Sequence, residues 1–107
     1  MSGQCTPNFR IERIRCRAHL AFVGSLPCCV CKRETDIQVH HLLSGPEPKA
    51  RGLKASDRYT VPVCLRNHLD IHAAGNERAW FAARNMDPVA LAGILWAQSV
   101  AAGRAKP

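Results

Sequence analysis

The sequence predicts a small α+β domain, and three observations predict it. Its 107 residues suit one compact domain and hardly two. Apolar residues recur at helical spacing near both ends, while the middle holds short β-prone pieces bounded by glycine and proline. Hydrophobic residues make up 47%, enough for a core and too many for wholesale disorder. A core of this size is thin, so a structural metal would help to hold it together.

Residues 1–8 read as a flexible tail. From Asn8 to about Val23, the apolar residues Ile11, Ile14, Ala18, Ala21 and Phe22 predict an amphipathic helix. Its other face carries Arg10, Arg13, Arg15 and Arg17, either a solvated charged face or one that contacts phosphates. Gly24-Ser25-Leu26-Pro27 ends the helix, because glycine and proline both resist continuing it. The stretch "CCVCKRETDIQVHHL" holds β-prone pieces around Val30 and at Ile37-Gln38-Val39. "SGPEPKARGLKASDR" is rich in glycine, proline and basic residues and reads as a loop.

"YTVPVC" predicts a short strand in which Pro62 suits an edge or a bulge. "LRNHLDIHAA" predicts a short helix closed near Gly75. Asn76 caps "ERAWFAAR", and Asp87-Pro88 opens the last helix with a capping carboxylate and a proline at the first position. Val89, Leu91, Ile94, Leu95 and Gln98 lay out its packing stripe, and Trp80, Phe81 and Trp96 read as core anchors.

Lysine and arginine total 15 against 8 acidic residues, a formal charge of +7 that favours a polyanionic partner. No apolar run approaches the roughly 20 residues of a membrane span, and the N-terminus lacks the apolar core of a secretory signal. A cytoplasmic location and no membrane partner are the expectations. In such a reducing compartment the six cysteines are better read as metal ligands than as disulfides.

Four of the five histidines fall in two clusters, His40-His41 and His68-x-x-x-His72. Positions i and i+4 share a helix face, so His68 and His72 can grip one metal ion. Neighbours on a strand point to opposite sides, so His40 and His41 divide their labour: one ligates, the other handles protons. The loop between the clusters carries Lys49, Arg51, Lys54 and Arg58, which suit a phosphate backbone. Cys28-x-x-Cys31 has the spacing of a zinc knuckle. His19, in the first helix, reads as incidental.

The order strand, His-His, basic loop, strand, helix with His-x-x-x-His resembles the HNH, or ββα-metal, nuclease motif. "VHHL…YTVPVCLRNHLDIH" is similar to nuclease colicins and to phage recombination-enhancement HNH proteins. "HLAFVGSLPCCVC", "KASDRYTVPVC" and "GNERAWFAARNMDPVALAGILW" bring it closer to the latter, and the resemblance runs from about residue 18 to 97. It implies a single HNH domain over residues 1–107, with a ββα-metal core at 26–75 and C-terminal helices at 76–101.

By position, the resemblance implies that His40, His68 and His72 hold a catalytic divalent ion (Mg²⁺, Mn²⁺ or Zn²⁺) and that His41 is the general base. The activity implied is hydrolysis of DNA phosphodiesters in a bacterial or phage-infected cell, with a recombinase filament as a further partner by analogy with the phage relatives. Cys64 opens the predicted metal helix where a second knuckle begins in many HNH proteins, so Cys28, Cys31 and Cys64 are the implied structural zinc ligands. The closing position of that knuckle is Asn67, a poor ligand, which leaves Cys29, Cys16 or Cys5 as fourth candidates. Such a zinc would tie the N-terminal half to the helix carrying His68 and His72.

One position departs from the family. The usual asparagine, five residues before the helix-opening cysteine, is Tyr59 here, and Asp57 is the nearby candidate to orient the base instead. The alternative is therefore a zinc-stabilised nucleic-acid-binding module without catalysis. A weaker third reading is an interaction domain whose basic helix binds an acidic protein.

Overall fold

The structure, a computed structural model, describes residues 13–47 and 54–107. The 1–8 tail with Cys5, and Arg10, Ile11, Lys49 and Arg51, lie outside the described residues. The architecture is a small α+β one: a two-stranded antiparallel sheet and, among the described residues, four helices. In chain order these are α1 (Arg17–Gly24), β1 (Ile37–His41), β2 (Thr60–Cys64), α2 (Leu65–Ala74), α3 (Glu77–Ala82) and α4 (Pro88–Ala101). No helix among the described residues is long and apolar enough to cross a membrane.

The strands pair with Ile37 opposite Cys64 and His41 opposite Thr60. Beyond the ladder, the Leu42 N–H donates to the Tyr59 carbonyl at 2.9 Å. Antiparallel pairs alternate between bonded and non-bonded, so Pro62, opposite Val39, falls at a position where no ladder N–H is required. The proline is thus accommodated without a bulge. All five residues of β2 are buried, because α1, α2 and α4 all pack on the hairpin. Helix α2 follows β2 directly and closes at Gly75, whose φ of 77° is the left-handed conformation glycine adopts without penalty.

The N-caps of α3 and α4 form as expected. The Asn76 side chain accepts from the Ala79 N–H at 3.0 Å, and Asp87 accepts from Val89 and Ala90, each at 3.1 Å. Trp80, Phe81 and Trp96 are buried, with Phe81 in a cluster that includes Leu42, Val61, Val63, Ile71 and Ala92.

Several expectations are corrected. Residues 13–16 are not helical, because their backbone is bonded elsewhere: Ile14 N–H donates to Ser56 Oγ at 2.9 Å, and Asp57 N–H to Ile14 O at 2.8 Å. Arg13 and Arg15 therefore do not share a helix face with Arg17. Arg13 pairs with Glu47 at 3.0 Å, and Arg15 donates to the Ala55 carbonyl at 2.8 Å. The region of Val30 is a turn rather than a strand, with Lys32 at a φ of 67° and Cys29 N–H donating to the Pro62 carbonyl at 2.9 Å. On α4 the buried positions are Pro88, Ala92, Leu95, Trp96 and Ser99, while Ile94 and Gln98 are exposed. The buried stripe is turned toward α1, where Ser99 and Trp96 close around His19.

His19 is therefore far from incidental. It is fully buried, its Nδ1 lies 2.6 Å from Ser99 Oγ, and its ring meets Trp96 edge-on at 4.9 Å.

Candidate functional site

Strand β1 and helix α2 bring three imidazoles together. The His40 ring centroid lies 5.1 Å from that of His68 and 5.6 Å from that of His72, and the last two are 4.6 Å apart. Their ligand atoms all fall within 4.8 Å of one another, a group that could hold a metal ion. His68 and His72 face each other through Nε2 atoms 2.9 Å apart, as the i,i+4 spacing requires. The site grades from buried His40 through half-buried His68 to exposed His72, so it opens to solvent on one side.

The donor set is one that could hold a metal ion. Burial, then the charges of His40 and His72, lower the pKa of His68, which favours the neutral ring that binds metal. His68 Nδ1, on the side of the ring away from the Nε2 that meets His72, is buried with no hydrogen-bond partner among the described residues.

Glu77 was not foreseen as a site residue. It sits in the first turn of α3, buried, with Oε1 2.7 Å from His40 Nε2. The same carboxylate accepts from the amides of Leu43 at 3.0 Å and Ser44 at 2.8 Å, and from the Ser44 hydroxyl. Burial works to raise its pKa, but the bonds from His40, Ser44 and Leu43 override that and hold it at about 2. The ionised carboxylate takes the Nε2 proton of His40 as donor and leaves the Nδ1 lone pair as the one for a metal. The only sequence signal was a glutamate behind a capping asparagine, which reads as an ordinary helix start.

His41, next in the strand, points to a different partner. Its Nε2 lies 2.9 Å from Asp57 Oδ1. Asp57 is itself fixed, with Oδ2 accepting from the Cys16 N–H at 2.7 Å and Arg15 3.5 Å away. Burial pushes the Asp57 carboxyl up, but the hydrogen bond from His41, the Cys16 amide and the Arg15 charge outweigh it and lower its pKa. With Nε2–H given to Asp57, Nδ1 of His41 is the nitrogen free to take a proton. Among the described residues it is thus Asp57, and not Tyr59, that is hydrogen-bonded to His41.

Of the basic loop residues, Lys54 is exposed, whereas Arg58 is half-buried over the rings of Tyr59 at 5.3 Å and Trp96 at 5.8 Å.

A second cluster joins Cys28, Cys31 and Cys64, whose sulfurs lie within 4.8 Å of one another and could hold a metal ion such as zinc. Burial raises the Cys28 thiol, yet hydrogen bonds from the Cys31 backbone, the Asn67 side chain and the Cys64 and Val30 backbones bring it down to about 6. The lowered pKa favours the thiolate, the form that binds metal. Burial pushes the Cys64 thiol up; the Asn67 backbone opposes this, and the hydrogen bond with Cys31 and the charge of Cys28 add to it. The cluster links the turn before β1 to the first residue before α2. Cys16 lies outside it, its sulfur 3.4 Å from the Arg104 carbonyl.

A family model described as "Protein of unknown function (DUF968)" matches residues 7–101. The chain belongs to the DUF968 family. No curated protein and no solved structure matches it. The matched span takes in both clusters of this DUF968 chain, together with Glu77 and Asp57.

Proposed function

We propose that this DUF968 chain is a metal-dependent endonuclease of the HNH type that hydrolyses DNA phosphodiesters. The observation that carries the reading is the convergence of His40, His68 and His72, with the next residue of the strand, His41, tied through Nε2 to Asp57. Held there, a divalent cation would polarise the phosphodiester and stabilise charge on the departing 3′ oxygen.

The chain's own residues supply the rest. His40 is aimed by Glu77, and His68 and His72 are aimed by the helix. His41 accepts a proton from the attacking water at Nδ1, and Asp57 stabilises the imidazolium that results. The net charge of +7 supports backbone-directed binding of DNA. A zinc on Cys28, Cys31 and Cys64 would fix α2 against the hairpin and so fix the histidines.

The test is nicking of supercoiled plasmid with added Mg²⁺ or Mn²⁺. His41→Ala should cut at least about 10²-fold more slowly, the cost of a lost general base, while keeping its fold and DNA binding. DNA binding with no metal-dependent cutting in the unaltered protein would favour the non-catalytic binding module instead.

A further inference from the structure

We propose that the carboxamide oxygen of Asn67 is the fourth ligand of a zinc ion held by Cys28, Cys31 and Cys64. The inference rests on reading the cysteine cluster as a zinc site and is independent of the nuclease reading.

The geometry is that of a tetrahedron with one unusual corner. Zinc–sulfur bonds of ~2.3 Å set sulfur–sulfur edges of about 3.8 Å. Cys31 Sγ and Cys64 Sγ stand 3.8 Å apart. An oxygen ligand at ~2.1 Å would make a sulfur–oxygen edge of about 3.6 Å. The Asn67 carboxamide lies 3.4 Å from Cys28 Sγ.

Its position follows from the chain. Cys64 is the residue before α2 and Asn67 lies in the first turn, so one helix start presents both side chains to the Cys28–Cys31 turn. The amide nitrogen faces the sulfur. Half a turn about the last side-chain torsion exchanges nitrogen for oxygen in the same place and offers a lone pair.

Other described donors are committed elsewhere. Cys16 sits against Arg104, and the sulfur of Cys29 is not part of the converging group. Asp70, one turn along α2, accepts from Trp80 Nε1 at 2.7 Å. Cys31, Cys64 and Asn67 line an open surface cavity with Arg33, Arg66 and Arg84, so water is the competitor for the fourth corner. Three thiolates and a neutral oxygen would bind zinc less tightly than four thiolates do, which makes the affinity sensitive to this one side chain.

The experiment titrates Co²⁺ into the full chain and follows the thiolate-to-cobalt charge-transfer absorption, which the histidine cluster cannot produce. Zinc affinity is then read by displacement. Asn67→Ala should weaken zinc about 10-fold or more. Asn67→Asp should match or exceed the unaltered protein, because a carboxylate oxygen takes the same corner. If Asn67 serves only as an N–H donor to Cys28, Asn67→Asp sets a negative oxygen against a thiolate and falls below Asn67→Ala, which overturns the proposal. Undiminished affinity in Asn67→Ala, or loss of zinc in Cys5→Ser to the same degree as in Asn67→Ala, overturns it too. Absence of the charge-transfer band in the unaltered protein removes the zinc reading itself.

Discussion

His41 and Asp57 meet through Nε2 and Oδ1 at 2.9 Å, across sixteen residues of chain. The contact depends on a second one: the Cys16 amide holds the other carboxylate oxygen at 2.7 Å. The extended segment before α1 therefore sets the orientation of the proposed base. Asp57→Ala should slow plasmid nicking by about 10²-fold, toward the lower end of the cost of losing a general base outright. Binding of Mn²⁺ should be unaltered, since Asp57 touches none of His40, His68 and His72. Cutting at the unaltered rate would mean that something else orients His41.

Glu77 makes a separate prediction. Its two oxygens receive His40 on one side and Leu43 and Ser44 on the other. Glutamine has one acceptor oxygen. Glu77→Gln must therefore either turn an amide N–H toward Ser44 or present it to His40, which moves the ring proton to Nδ1 and removes the lone pair for the metal. Mn²⁺ affinity, measured by calorimetry because a thiolate site disfavours that hard ion, should fall about 10- to 100-fold. An unchanged affinity would show that His40 is held by the strand alone.

Much of this arrangement was legible in the sequence because its signals are local. His68 and His72 meet through helical spacing, and Asn76, Asp87-Pro88 and Gly75 mark their own caps and turns. What was not legible depends on partners distant in the chain. Ile14 carries a helical pattern, yet its amide and carbonyl are bonded to Ser56 and Asp57. Glu77 reads as a surface glutamate until His40 is placed 2.7 Å away. The buried stripe of α4 could be set only once His19 was known to reach Ser99.

His19 gives the fold a dependence on pH. Burial lowers its pKa below 6.5, opposed by the nearby Asp57 charge and reinforced by Arg104, with Ser99 and Trp96 completing its surroundings. The sign follows from proton uptake: below the unfolded value the unfolded chain binds a proton that the folded chain refuses. The contribution of His19 is thus full above pH 6.5 and is lost as pH falls from there toward the lowered folded value. His19→Gln should be less stable than the unaltered protein at pH 7.5, through loss of ring packing on Trp96. The gap between the two melting temperatures should narrow by pH 5.5. A gap that stays constant would show that His19 takes up no more protons in the unfolded chain.

The basic residues near the site differ in what they can offer DNA. Lys54 is exposed, while Arg58 is held over Tyr59 and Trp96. Each lysine or arginine that neutralises a phosphate releases counterions, so removing one lowers the slope of log affinity against log salt by about 1. Lys54→Ala should do this without changing the melting temperature beyond about 0.5 kcal/mol of stability. Arg58→Ala should instead lower stability by about 1 kcal/mol through lost stacking on two rings, since a half-buried guanidinium over an aromatic face contributes to packing as well as charge. Binding of a short duplex to Lys54→Ala and Arg58→Ala, measured at several salt concentrations beside thermal melts, separates the two roles. Identical salt slopes for Lys54→Ala and the unaltered protein would take Lys54 off the DNA-binding surface.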